Sequence, residues 1–166
     1  MSSNYRILVA VDLKPETDRL LAEVQRYARA FDAIVDIIHV AAPDPEFVGY
    51  IKAARPEAQD VIDSRREPHA KELRLEHEQT QDLAARLRAA GIRVDQALTV
   101  QGPTLVKILE EARKLGADLL VLGSHHHGAL YRLWYGDIAT DATKQAPCSL
   151  LVVPTQTVRD LQKWST

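Results

Sequence analysis

Apolar and polar residues alternate along this chain in two distinct rhythms. Tyr5 to Val11 reads Tyr-Arg-Ile-Leu-Val-Ala-Val, a short, partly β-branched run that predicts a buried strand. Leu20, Val24, Tyr27, Ala28 and Phe31 then recur at helical spacing. They predict one buried face of a helix from Glu16 to Asp32, with Pro15 suited to its first turn. Ala33 to Val40 predicts a second strand, interrupted by Asp36 and His39. Asp36 fits a half-covered face near the strand's start. His39, among near-continuous apolar neighbours, reads as a packed or hydrogen-bonded structural histidine.

Residues Ala41 to Pro68 break the rhythm, with prolines at 43, 45, 56 and 68. They read as a long connection, with a Phe47–Ile51 patch that folds over the sheet or meets a partner. From Glu67 to Ala90 helical spacing returns: Leu73, Thr80, Leu83, Ala84, Leu87 and Ala90 share a face, and Gly91 supplies the stop. Ile92 to Val100 alternates as an edge strand does. Gly102-Pro103-Thr104 opens a helix whose stripe is Leu105, Ile108, Leu109, Ala112 and Leu115, closed by Gly116. Ala117 to Leu122 is a fourth strand, Ile138 to Gln145 a short helix, and Ser149 to Val153 a fifth strand stopped by Pro154. A polar tail, 155–166, carries Val158, Leu161 and Trp164 at helical spacing.

Strands separated by helices pair in parallel through right-handed crossovers. The expected architecture is α/β: one domain over residues 1–166, with a doubly wound five-stranded parallel sheet and helices on both faces. A length of 166 residues agrees, since single domains commonly run about 100–200 residues.

Composition narrows the function classes. The chain is 46% hydrophobic with a net charge of −2, so it has neither the basic footprint of a nucleic-acid binder nor a polybasic membrane signature. One cysteine, Cys148, provides no disulfide framework or cysteine metal cluster. Next to a buried strand, it reads as inert. No apolar run approaches the roughly 18 residues of a membrane span, and no secretory leader pattern opens the chain. The expectation is a cytoplasmic protein.

Candidate chemistry gathers where strands one, two and four end. Asp12 follows the first, Val40 ends the second, and Leu122 and Gly123 end the fourth. Strands one and four would flank the switch point of such a sheet, where nucleotides bind. There Asp12 could accept hydrogen bonds from ribose hydroxyls, and backbone groups near Val40 could read an adenine edge. Gly123 and the helix start at Gly136, Asp137 and Ile138 could meet phosphate.

Several blocks resemble one family. Ile7-Leu-Val-Ala-Val-Asp12, Ile38-His-Val40, Gly102-Pro103, Ala117-Asp-Leu-Leu-Val-Leu-Gly-Ser124 and Ala146-Pro-Cys-Ser-Leu-Leu-Val-Val-Pro154 look like a universal stress protein of the UspA type, from about Asn4 to Pro154. The resemblance implies sheet order 3-2-1-4-5 in an adenine-nucleotide alpha-hydrolase-like fold. It also implies a homodimer, often formed by antiparallel pairing of the last strands, here Ser149 to Val153. ATP-binding members carry a glycine, two residues, a second glycine, nine residues, then glycine and a hydroxyl residue. Here the first glycine is Gly123, the second position holds His126, the third is Gly136, and the hydroxyl position holds Asp137. The spacing is kept, but two of the four defining residues are changed. Gly128 does not restore the pattern, because it stands two residues late.

Both changes oppose a triphosphate. A second glycine lets backbone approach phosphate, and His126 adds bulk there. Asp137 adds a negative charge, at a cost of a few kcal/mol for an effective dielectric of about 20. Asp137 also suits a helix N-terminus as a cap, occupying the place of the anion. Adjacent histidines in an extended loop point in alternate directions, so His125-His126-His127 does not chelate one ion well without a carboxylate. No nucleophile–base arrangement stands out. The reading is a non-catalytic, dimeric stress protein with a degenerate nucleotide crevice, acting on a protein partner or on a ligand such as AMP. The alternatives are an ATP-binding switch with slow hydrolysis and, more remotely, a nucleotidyl-transferring enzyme.

Overall fold

The computed structural model describes residues 4–41, 57–124 and 143–155, with side chains from residue 68 onward in the second of these segments. Five strands form one sheet: β1 (Arg6–Val11), β2 (Ile34–Ala41), β3 (Arg93–Gln101), β4 (Leu119–Ser124) and β5 (Ser149–Pro154). Their order is β3-β2-β1-β4-β5, and every pairing is parallel. The described helices are α1 (Thr17–Phe31), α2 (Glu57–Ala89) and α3 (Thr104–Leu115).

Strand alternation divides the core between the two faces of the sheet. Ile7, Val9, Val11, Val35, Ile37 and Val121 pack with Leu20, Leu21 and Val24 of α1 and with Leu83, Ala84 and Leu87 of α2. Leu8, Ala10, Ile38, Leu120 and Leu122 pack with Ile108, Leu109 and Ala112 of α3. The sheet is therefore doubly wound, with α1 and α2 on one face and α3 on the other. Each fully buried Leu, Ile or Val contributes roughly 1.5–3 kcal/mol as an upper estimate, so the two layers dominate stability.

Helix ends follow local chemistry. Asp32 closes α1 in the left-handed region at φ 48°, its N–H turned to the carbonyls of Ala28 and Arg29. Gly91 at φ 81° follows α2, and Gly116 at φ 64° closes α3. Left-handed backbone is cheap for glycine. Two arginines link the α1 and α2 ends reciprocally. Arg29 Nη2 donates to the Ala90 carbonyl over 3.0 Å, and Arg93 donates to the Asp32 carbonyl.

Three expectations need correction. α2 begins at Glu57, ten residues earlier than the periodicity indicates, and Pro68 lies inside it. Residues 57–67 include the good helix formers Glu57, Ala58, Gln59, Arg65, Arg66 and Glu67, whose propensity outweighs the single proline in setting the helix start. Phe31 is 45% exposed rather than buried; at the last turn of α1 it stacks on Tyr5, ring centroids 4.7 Å apart. Asp36 is wholly buried rather than half-covered, because Arg6 and the backbone N–H of Gln96 meet its two oxygens. The edge placement expected for β3 is borne out. The Phe47–Ile51 patch and most of the 138–145 helix lie outside the described residues; only 143–145 are described, and these are helical.

Candidate nucleotide crevice

The carboxyl ends of β1 and β4 lie side by side. Ala10 pairs with Leu122, so the chain leaves β1 at Asp12 as β4 passes through Gly123 to Ser124. At this point the strand order reverses: β2 lies on one side of β1 and β4 on the other. Crossovers leave the sheet in opposite directions here, and in sheets of this kind ligands bind beyond the strand ends at such a point.

Asp12 stands at that edge with its side chain 19% exposed. Its Oδ1 accepts from the Lys14 backbone N–H at 3.3 Å and from Thr17 Oγ1 at 3.4 Å. Lys14 Nζ lies 3.8 Å from Oδ2. The aspartate thus closes a tight turn over its own backbone. Leu13, within that turn, has φ 59°, a conformation costly for any residue with a Cβ, which the surrounding contacts must hold. Thr17 is buried and ties the first turn of α1 to the same carboxylate. Sequence reading treated Thr17 only as part of a helix. The signal it carries is a hydroxyl five residues after a strand-terminal aspartate, with Pro15 between.

His39 and Val40 come to the same edge on β2. His39 is in register with Val11, and its Nδ1 lies 2.9 Å from the Val11 carbonyl oxygen. A carbonyl only accepts, so Nδ1 is the donor. The expected hydrogen-bonded structural histidine is present. Val40 turns its side chain toward the α3 layer and is in register with Val100 of β3.

Gly123 lies at the carboxyl end of β4, as expected, with the strand running one residue further to Ser124, and it pairs with Val153 of β5. Thr155 Oγ1 then donates to the Ser124 carbonyl over 2.8 Å. A neighbouring strand that runs on to Pro154 holds the glycine in the ladder, so it does not act as a turn. His126, Gly136, Asp137 and Ile138, with His125 and His127, lie outside the described residues. The structure therefore brings together Asp12, Val40, Leu122 and Gly123.

The opposite edge of the sheet carries a different electrostatic feature. Arg6 reaches Asp36 and Asp95, each at 2.9 Å, while its backbone N–H donates to Asp118. Burial pushes the Asp36 carboxyl above its ordinary range, and Arg6 and Gln96 only partly counter this. Burial likewise raises the Cys148 thiol. Among the described residues no cluster of His, Cys, Asp or Glu is arranged to hold a metal ion, and no helix is long and apolar enough to cross a membrane.

This fold and edge geometry define an α/β protein with a doubly wound parallel sheet whose strand order reverses between β1 and β4. The chain belongs to the universal stress protein family, whose model matches residues 4–154. A universal stress protein of Thermus aquaticus, encoded in the QAH/OAS sulfhydrylase 3′ region, is 28% identical over 89% of this chain and 96% of its own length. Universal stress protein C of Escherichia coli K12 is 32% identical over 78% of this chain and 82% of its own. Solved structures share the fold at lower identity. A universal stress protein in complex with cAMP matches with TM-score 0.60 and 17% identity over 93% of this chain and all of that one. An Arabidopsis thaliana family member with AMP bound gives 0.57 and 14% over 94% of each. The Archaeoglobus fulgidus protein in complex with dAMP gives 0.51 and 21% over 92% of this chain and 98% of that one.

Proposed function

We propose that this protein is a non-catalytic, dimeric stress-response protein that binds an adenine mononucleotide such as AMP in the crevice between β1 and β4 and passes that state to a protein partner. One observation carries the reading: Asp12 is held at the switch point by Thr17 and Lys14, where β4 runs beside β1 towards Gly123, while two of the family's four phosphate-loop positions hold His126 and Asp137. A carboxylate fixed there suits ribose hydroxyls. The acidic Asp137 disfavours the extra charges of a triphosphate. The similar folds described with cAMP, AMP and dAMP support a ligand of this size.

Dimerisation is drawn from the sheet edge. Among the described residues β5 pairs with β4 on one side only, and an edge strand is a template for a second chain. Antiparallel pairing of Ser149–Val153 with the same strand of a second copy would close that edge.

Two measurements test the reading. Calorimetry of the purified protein should give measurable AMP binding and weaker ATP binding, and mass spectrometry of small molecules released on denaturation should find an adenine mononucleotide. Tight ATP binding with turnover would replace it with an ATP-switch function.

A further inference from the structure

His39 is 7% exposed, and its two ring nitrogens face different elements. Nδ1 donates to the Val11 carbonyl at 2.9 Å. Nε2 is buried without a hydrogen-bond partner among the described residues, yet lies 3.5 Å from Glu76 Oε2 of α2. Nε2 therefore faces a carboxylate oxygen across the α2–β2 contact. A core position filled only for packing would carry an apolar side chain, because a half-satisfied imidazole is costly to bury.

The partner of Nδ1 gives this cost a purpose. Val11 is the last residue of β1, and its carbonyl belongs to the peptide that delivers Asp12. Immediately beyond, Leu13 is in the left-handed region at φ 59°, and Asp12 Oδ1 receives the Lys14 N–H and the Thr17 hydroxyl. Fixing the Val11 carbonyl fixes the plane from which this turn departs. Glu76 in turn fixes the imidazole and is joined to the sheet through Thr80, whose hydroxyl donates to the Glu76 carbonyl at 2.8 Å and lies 3.3 Å from Thr99 Oγ1.

We propose that His39 is a positioning residue for the Asp12 turn: held by Glu76, it orients the Val11 carbonyl and so sets where the Asp12 carboxylate meets a ligand. The assignment rests on the nucleotide reading of Asp12, but its structural half is testable without a ligand.

The test uses the full-length protein, His39→Leu, His39→Asn and Glu76→Gln. In Asn the Nδ2 donor stands the same number of bonds from Cα as Nδ1 does in His, so His39→Asn can keep the bond to Val11 while losing Glu76. In the wild type, ring ¹⁵N shifts should report a protonated Nδ1. His39→Leu should speed amide exchange at Lys14 and Thr17 about tenfold, the scale of one lost hydrogen bond, with β5 amides unchanged. AMP affinity should fall by a similar factor. His39→Asn should restore most of both, and Glu76→Gln should give an intermediate loss. Unchanged exchange in His39→Leu, no recovery in His39→Asn, or a bare Nδ1 in the wild type would each overturn the assignment. The wild-type ring spectrum decides even if His39→Leu fails to fold. Absence of AMP binding by the wild type would defeat the ligand reading alone, leaving the exchange measurements to judge His39.

Discussion

Arg6 Nη1 lies 2.9 Å from Asp36 Oδ2, and the carboxylate it meets is fully buried. The pair sits at the amino-terminal edge of β1 and β2, remote along the strands from Asp12. A buried carboxylate without its cation is strongly unfavourable. Arg6→Ala should therefore cost about 3 kcal/mol, less than the fullest buried case because Arg6 is 20% exposed. Burial raises the folded-state pKa of Asp36 above that of the unfolded chain. Its contribution is then fully present below the ordinary aspartate range and is lost as pH rises through the raised value. Urea denaturation across the acid range should show this slope in the wild type, a steeper one in Arg6→Ala and a flatter one in Asp36→Asn. Equal slopes in all three would remove Asp36 from the account.

Thr17 is the least expected member of the crevice. Its buried hydroxyl donates to Asp12, and Thr17→Val keeps the shape while removing that donor. Stability should fall by about 1 kcal/mol, and AMP affinity should weaken with it. A stability loss with unaltered affinity would mean that Asp12 does not touch the ligand.

The two altered motif positions invite a gain rather than a loss. His126→Gly together with Asp137→Ser restores the family's phosphate-loop residues at their retained spacing. Calorimetry should then show ATP affinity rising at least tenfold, corresponding to about 1.4 kcal/mol of relieved repulsion. No change would place the barrier to triphosphate elsewhere in the chain.

Cys148 offers a chemical probe. Burial raises its thiol, countered in part by a backbone contact from Leu120, so little thiolate is present at neutral pH. Reaction with a disulfide reagent should be slower than for a free cysteine and should accelerate on unfolding. Fast labelling of the folded protein would contradict the burial and reopen a redox role.

Pattern made β1, α1, α3 and β5 legible to within two residues, because α1 and α3 each bury one face at helical spacing and β1, covered on both faces, is a continuous apolar run. It failed where burial was not the organising force. The first turns of α2 carry no clear apolar stripe, and the periodic signal starts only with the face that runs from Leu73 through Thr80 to Leu87. Gly123 was legible as lying at the carboxyl end of β4, which runs one residue further, to Ser124; that Val153 runs beside it has no local mark.

The site divides in the same way. Asp12 was legible as a strand-terminal carboxylate, and His126 and Asp137 as departures from a spacing. By itself the sequence determined the strand and helix alternation, the family, and the charges brought to the phosphate loop, all of which depend on short-range pattern. Only the tertiary structure decided that Asp36 is buried against Arg6, that Thr17 reaches Asp12, and that His39 bridges Val11 and Glu76. Thr17 and Asp12 stand five residues apart and meet through the turn between them; the other relations exist only once parallel strands in register bring distant segments within hydrogen-bond reach.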